Sequence, residues 1–175
     1  MTHPTVSPDT TATVVVPGGP RLPRRLQGLL AALPCHGAVA DIGSGHGRLA
    51  AHLVRLGAGP VIATDISAAA VAEITDNLQR WGLADRIDVR CGDGLVPLQT
   101  AEVKGIVLAG VGARTIIAIA SMAREKEVEW MALQPMQRAG LIEPWLAAAG
   151  WTILHHSTIA ERDRTYPTWI AEVRR

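Results

Sequence analysis

The sequence predicts an α/β fold with a mainly parallel sheet that ends in an antiparallel hairpin, and three observations lead to this class. Short apolar segments alternate with longer helical ones from Val39 onward, which is the pattern of a βαβ chain. The short segments are continuously hydrophobic, as expected of parallel strands that are covered on both faces. The last two apolar segments have no helix between them, so they should pair as antiparallel neighbours.

The individual elements follow from these patterns. We expect parallel strands at residues 38–42, 61–65, 87–91, 105–109 and 130–134, and hairpin strands at 151–159 and 168–173. The charged segment 161–164 should form the hairpin turn. Helices are expected at residues 47–56, 67–81, 114–124 and 139–149. Ser67 is a suitable N-cap for the second of these helices, and Gly57, Gly82 and Gly150 stand where helices need a C-terminal glycine.

Length and composition predict one domain. The chain has 175 residues, of which 48% are hydrophobic, enough for a single compact core at residues 21–175. Leucines at 22, 26, 29, 30 and 33 lie on one helical face and predict a leading amphipathic helix over 22–33. Residues 1–20 contain four prolines and many threonines without a basic start, so we expect a disordered tail rather than a signal peptide.

Charge and cysteine content exclude several classes of protein. The formal net charge of +1 excludes a strongly polycationic chain, so any nucleic-acid contact must be local. Cys35 and Cys91 are too few for a disulfide framework and lack zinc-site spacing, so we expect reduced thiols and no metal. No apolar run approaches the roughly 20 residues that span a bilayer. We therefore expect a cytoplasmic protein without a membrane partner, and its oligomeric state stays open.

A glycine-rich segment, Asp41-Ile42-Gly43-Ser44-Gly45-His46-Gly47, follows the first predicted strand and opens the next helix. A doubly wound, Rossmann-like sheet binds nucleotide-like ligands at this position. The spacing is Gly-x-Gly-x-Gly, and Arg48 stands where the dinucleotide fingerprint requires its last glycine. Because Asp41 can orient a cationic amino group, the segment favours S-adenosylmethionine over NAD. Taken alone, the glycines are also compatible with a simple tight turn.

Two further acids stand at predicted strand ends. Asp65 follows the glycines by about twenty residues, where an acid hydrogen-bonds ribose hydroxyls, although it could also serve as an acid at a helix start. In Gly92-Asp93-Gly94, Asp93 would accept from the adenine amine, and Ile66 would pack on the adenine face. The ordered set predicts a cofactor site. Its members are Asp41, Gly43, Gly45, His46, Asp65, Ile66, Gly92, Asp93, Gly94 and Ala109.

Several segments together carry a family resemblance that covers about residues 22–173. They are Arg25-Leu26, Asp41-Ile42-Gly43, Ala63-Thr64-Asp65, Gly92-Asp93-Gly94-Leu95, Ala109-Gly110-Val111-Gly112, Leu133-Gln134-Pro135 and Gly150-Trp151. With these segments the chain resembles the bacterial tRNA adenine-N1 methyltransferases that modify position 22, the TrmK-type family. The resemblance implies a class I methyltransferase fold, S-adenosylmethionine as the donor and tRNA as the acceptor.

The chain departs from the family pattern near the expected cleft. Gly45 replaces a usual acid, Val111 and Ala113 stand in a usual Ala-Gly-Met-Gly-Gly, and Met136 replaces a common asparagine. The family also usually continues past the hairpin into a helical segment that helps hold tRNA, whereas this sequence ends at Arg175. These departures affect the identity of the acceptor more than the binding of the donor.

The acceptor pocket is expected between residues 109–113 and 134–137, with Gly110, Gly112, Gln134, Pro135 and His46 as candidates. Methyl transfer mainly requires alignment of the donor and the attacking atom, so no catalytic residue is assigned. The amide of Gln134 would bind the target base or, alternatively, satisfy backbone groups at a strand end. His46 would contact the acceptor or form only local hydrogen bonds.

The leading helix is the best candidate for RNA phosphate contacts, through Arg21, Arg24 and Arg25, or is simply a solvated helix face. Three other functions remain open. The altered cleft and the sequence end also suit a small-molecule methyltransferase. A donor-binding or RNA-interaction module with a decayed catalytic pocket is a second alternative, and a NAD-dependent oxidoreductase is the most distant.

Overall fold

A computed structural model describes residues 20–34 and 36–174. The expected tail at 1–20 lies outside the described residues apart from Pro20, and so does Cys35, so both expectations stay predictions. Cys91 is an exposed free thiol. Within the described part of the chain, no helix is long and apolar enough to cross a membrane.

The sheet has the predicted class and contains seven strands in the order β3-β2-β1-β4-β5-β7-β6. Their bounds are β1 Val39–Ile42, β2 Val61–Asp65, β3 Ile87–Cys91, β4 Gly105–Ala109, β5 Trp130–Gln134, β6 Trp151–Glu161 and β7 Arg164–Val173. β1 to β5 pair in parallel, and β7 pairs antiparallel with both β5 and β6. The turn between β6 and β7 therefore lies at the carboxyl edge, where β1 to β5 end.

In the described residues, one α-helix precedes β1 and four further α-helices lie between strands. Their bounds are α1 Arg24–Ala31, α2 Arg48–Arg55, α3 Ala68–Arg80, α4 Ala113–Ala120 and α5 Ile142–Ala148, with 3-10 turns at Ala84–Arg86 and Ala139–Leu141. The predicted N-cap is confirmed, because Ser67 Oγ accepts a hydrogen bond from Ala70 N at 3.3 Å. Gly57, Gly82 and Gly150 all have positive φ after helix ends, as the sequence predicts.

The largest differences from the predicted bounds are in β7 and α4. β7 begins at Arg164 rather than Thr168 and includes Pro167. It tolerates proline there because β5 pairs with β7 only from Trp169 onward, so Pro167 has a strand on one side only. α4 ends at Ala120 rather than Arg124, because the backbone changes to i−3 hydrogen bonds beyond Ser121.

The core lies in two layers, one on each face of the sheet. Leucines and isoleucines of α1, α2 and α3, among them Leu29, Leu53 and Ile74, pack on one face. α4 and α5 cover the other face with Ile116 and Leu146. Since both faces are covered, the five parallel strands are buried apart from β3, which lies at an edge. The carboxyl edge stays open for a site.

Candidate functional site

The glycine loop connects the end of β1 with the start of α2. Gly43, Gly45 and Gly47 have φ values of 71°, 63° and 73°, a region that other residues rarely adopt. A Cβ added at Gly43 or Gly45 would meet no protein atom within 4 Å. These two glycines therefore leave open space above the loop, where a ligand can approach the backbone.

Asp41 lies beneath this loop and is only 3% exposed. Ser44 Oγ donates a hydrogen bond of 2.6 Å to Asp41 Oδ2. Burial raises the pKa of Asp41 to about 6, with a smaller contribution from the charge of Asp65, while the hydrogen bonds from Ser44 and the Ala50 backbone lower it. In the described part of the structure Asp41 forms no ion pair. It is a buried acid that suits a cationic ligand group.

Asp65 fixes the loop to the end of β2. Its two carboxylate oxygens accept from Gly45 N and from Ser67 N, each at 3.0 Å. A carboxylate has about four lone-pair sites, so two remain for ligand hydroxyls. The acid expected to bind ribose therefore also shapes the glycine loop.

The segment Gly92-Asp93-Gly94, predicted to contact the adenine, lies beside Asp65 at the end of β2. Gly92 N donates to Asp65 O at 3.0 Å, which brings the Gly92-Asp93-Gly94 turn next to β2. A Cβ at Gly92 would lie 2.4 Å from Pro97 Cγ, so this glycine is required by packing within the protein. Ile66 is 68% exposed beside this turn, an unusual exposure for isoleucine. The three cofactor segments thus lie in a row along the ends of β1, β2 and β3.

Two cavities open at the carboxyl edge. The central cavity, about 290 Å³, is lined by Asp41, the glycine loop, residues 109–111 and the start of α1. The hairpin cavity, about 540 Å³, is lined by residues 161–164, Tyr166 and the start of α1. Pro23 and Arg25 line both cavities, so the two are neighbours across these residues. Ile66 and Asp93 lie outside the central cavity, farther along the strand ends.

The expected acceptor loops do lie together. Met136 N donates to Val111 O at 2.8 Å, and Ala113 N donates to Gln137 O at 3.1 Å. These bonds join the loop after β4, which contains the exposed Gly110 and the partly buried Gly112, to the loop after β5. Pro135 is buried and does not face solvent.

Gln134 has an internal role instead of the expected contact with a base. It is fully buried, and its Nε2 donates to Arg25 O at 2.9 Å and to Thr168 Oγ1 at 2.8 Å. Its Oε1 accepts from Arg25 Nη1 at 2.9 Å. Both amide hydrogens are therefore in use within the protein, and the alternative role at a strand end is the one observed.

The three arginines of the leading segment differ in their surroundings. The predicted amphipathic helix is present, since Leu29 and Leu30 of α1 are buried. Arg21 and Arg24 are exposed, whereas the Arg25 side chain is only 15% exposed and turns inward to Gln134. Arg25 is therefore not on the solvated face of α1, because its guanidinium enters the fold beside the two cavities.

His46 lies at the rim of the central cavity and pairs with α3. Its Nδ1 lies 2.6 Å from Glu73 Oε1, and both side chains are about half exposed. Asn77 Nδ2 also donates to His46 O at 3.1 Å. The structure therefore gives His46 local partners, which was the alternative prediction for this residue.

In residues 20–34 and 36–174, no group of three or more His, Cys, Asp or Glu side chains is placed to hold a metal.

Sequence reasoning missed the hairpin's part in the site. Thr168 accepts from Gln134, Tyr166 lies under the Arg25 guanidinium, and Glu161 Oε1 accepts from Arg25 N at 3.4 Å at the start of α1. The alternation of Tyr166 and Thr168 on one face of a strand is the one available sequence signal. It does not reveal the partners: Gln134 lies 34 residues before Thr168, and Arg25 lies more than a hundred residues before Glu161 and Tyr166.

Comparison with known proteins agrees with this geometry. Residues 22–168 match a family model described as a methyltransferase domain. The chain is 30% identical over 162 residues to the tRNA (adenine(22)-N(1))-methyltransferase of Bacillus subtilis, covering 87% of this chain and 65% of that protein. The chain thus spans slightly less than two thirds of that relative.

Solved structures show the same fold. The crystal structure of B. subtilis TrmK superposes with a TM-score of 0.81 at 29% identity, over 87% of this chain and 67% of that one. Streptococcus pneumoniae Sp1610, in complex with S-adenosyl-L-methionine, gives 0.81 at 27% identity, over 87% and 73%. The resemblance noted in the sequence is therefore confirmed as similarity in both sequence and structure.

Proposed function

Because the chain belongs to the methyltransferase domain family, we propose that it transfers a methyl group from S-adenosylmethionine, with the donor held in the central cavity. One observation carries this proposal: Asp41 is buried, has no cationic partner among the described residues and lies beneath a glycine loop with open space above it. An ammonium group of the donor supplies the missing cation.

The residues along β1 to β3 fit the remainder of the donor. Asp41 would hold the amino group and Asp65 the ribose hydroxyls, while Ile66 and Asp93 would contact the adenine face and edge. Gly43 and Gly45 let the backbone lie close to the ligand. The bound donor supplies an electrophilic methyl group, so the protein has to align it with the attacking atom and exclude water.

We propose tRNA as the acceptor, with adenine N1 as the attacking atom and position 22 as the site by similarity. Adenine N1 has a free lone pair at neutral pH, so no general base is needed, but the base must leave its pair before attack. The neighbouring hairpin cavity supports a macromolecular acceptor over a small molecule, because it extends the site beyond the central cavity across Pro23 and Arg25. With tRNA as its acceptor, the protein would act in the cytoplasm.

The decisive experiment is methylation of a total tRNA pool with labelled donor, followed by nucleoside mapping. We expect 1-methyladenosine, and we expect Asp41→Asn to reduce its formation by lowering donor affinity. If no methylated nucleoside forms although calorimetry shows donor binding, the acceptor assignment fails. If calorimetry shows no donor binding, the whole proposal fails.

A further inference from the structure

The Arg25 guanidinium occupies the wall between the central and hairpin cavities. Its Nη1 donates to Gln134 Oε1 at 2.9 Å, and its Cζ lies 5.5 Å from the centre of the Tyr166 ring. Gln134 is itself fixed by Thr168. Side chains from β5 and β7 thus hold the guanidinium in one orientation before any acceptor arrives.

Most hydrogen-bond donors of this guanidinium have no partner in the described residues. An arginine side chain has five N–H donors, and one is used by Gln134. The nearest carboxylate oxygen is Glu161 Oε2, 3.9 Å from Nε, which is too long for a hydrogen bond. Burial lowers the pKa of Arg25 and outweighs the charge of Glu161, so its positive charge is poorly compensated. A second, anionic partner would satisfy it.

The hairpin cavity has the charge that such a partner requires. Arg25, Arg162 and Arg164 line it against Glu161 and Asp163, which leaves one positive charge in excess. Arg162 and Arg164 are exposed. A phosphate is the anion that a planar guanidinium recognises best, through two parallel hydrogen bonds.

We propose that Arg25 binds a phosphate flanking the target nucleotide and thereby positions its base in the central cavity. This inference rests on the proposed function. The partner is a phosphate rather than the base edge, because an N–H donor at adenine N1 would occupy the lone pair that attacks the methyl group. Gln134 and Tyr166 keep the guanidinium oriented for this contact.

The first test compares Arg25→Gln with Arg24→Gln, since Arg24 is the neighbouring exposed arginine without a partner among the described residues. We expect Arg25→Gln to lower kcat/KM for tRNA at least roughly tenfold, as loss of a charge-assisted contact does. Arg24→Gln should lower it no more than about threefold, as for a peripheral phosphate contact. Because Arg25 lines the central cavity, kcat/KM for tRNA is measured at saturating donor for both variants, and donor affinity is measured separately by calorimetry.

The second test removes the phosphate charge instead of the arginine. Each phosphate flanking the target adenosine is replaced in turn by a neutral methylphosphonate in a tRNA fragment. For one of these phosphates, we expect the replacement to lower kcat/KM of the unchanged chain roughly tenfold. The same replacement should lower kcat/KM of Arg25→Gln little further, because the two changes remove the same contact. Should Arg25→Gln destabilise the fold in a thermal melt, Arg25→Lys, which keeps the charge, replaces it with the same expected result.

The outcomes separate the two proposals. If the unchanged chain methylates no RNA, the acceptor assignment fails and this inference fails with it. If it methylates tRNA but Arg25→Gln behaves like Arg24→Gln, the inference alone is overturned. The inference is also overturned if, for both phosphates, the fold loss in kcat/KM from Arg25→Gln and the fold loss from the phosphate replacement simply multiply when the two changes are combined.

Discussion

At the scale of single residues, Asp41 is both buried and ionisable, and burial disfavours the charged form of its carboxyl group. Its carboxylate is buried beneath the glycine loop, which raises its pKa to about 6. In the free chain its contribution to stability is full below the unfolded pKa near 4 and is lost as the pH rises through about 6. At neutral pH the residue therefore costs the empty chain stability and favours a cation that restores it.

We predict that donor affinity depends on this carboxyl group. As the pH falls below about 6, Asp41 takes up a proton and the dissociation constant of S-adenosylmethionine should rise, approaching tenfold per pH unit. Calorimetry between pH 5 and 8 measures this. Asp41→Asn should bind weakly and lose this pH dependence. A dissociation constant for the unchanged chain that stays flat from pH 5 to 7 would contradict the role of Asp41.

At the scale of elements, Arg90 joins β3 to the loop that follows it. Its guanidinium donates to Asp88 Oδ2, to both carboxylate oxygens of Glu102 and to Pro97 O, at distances of 2.6 to 2.9 Å. Glu102 Oε2 also accepts from Gln99 N at 2.7 Å. The hydrogen bonds from Arg90 are the main cause that lowers the pKa of Glu102 to about 2. This network fixes the segment that begins with the Gly92-Asp93-Gly94 turn.

We predict that Glu102→Gln lowers the free energy of unfolding by about 1–2 kcal/mol at pH 7, since the variant loses the carboxylate that forms a bidentate ion pair with Arg90. The contribution of Glu102 is present above its unfolded pKa of 4.5 and is lost as the pH falls toward about 2. Urea unfolding at pH 7 and pH 3 should therefore show a smaller difference between variant and unchanged chain at pH 3. Glu125→Gln, at an exposed position, is the control and should change little.

At the scale of the whole molecule, the carboxyl edge has two halves of opposite charge. Asp41, Asp65 and Asp93 stand at the ends of β1, β2 and β3. Exposed arginines surround the ends of β4, β5 and the hairpin, and in the described structure their side chains form no hydrogen bond or ion pair; they are Arg114, Arg138, Arg162 and Arg164. The net charge of +1 conceals this division. It would direct a cationic donor and a polyanionic acceptor to opposite sides of one cleft.

We predict that Arg162→Gln with Arg164→Gln weakens RNA binding and flattens its dependence on salt. Two lost phosphate contacts should reduce the slope of log K against log salt by up to about 1.4–1.8. Fluorescence anisotropy between about 50 and 200 mM salt measures this slope. Arg80→Gln with Arg86→Gln removes the same charge near the start of β3, at the opposite edge, and should leave the slope unchanged. If both double variants reduce the slope equally, the division of charge along the carboxyl edge is contradicted.

Sequence patterns predicted the fold class and the positions of the donor-site candidates at the strand ends, because both depend on local order. Asp41 and the glycines are neighbours along the chain, and Asp65 stands at a recognisable strand end. Arg25, Gln134 and Thr168 could not be joined in this way. Their hydrogen bonds require α1, β5 and β7 to be in place, and β7, predicted at 168–173, begins four residues earlier at Arg164.

The position of β7 between β5 and β6 has a consequence for how the protein is made. β6 leaves the ribosome before β7, yet β7 is the only strand that pairs with it among the described residues. Residues 151–161 therefore have no native partner strand until β7 is synthesised, whereas β1 to β4 pair only with strands that precede β6. His155, His156 and Thr158 are exposed in the finished sheet, and their polarity would protect this waiting strand from pairing with other nascent chains.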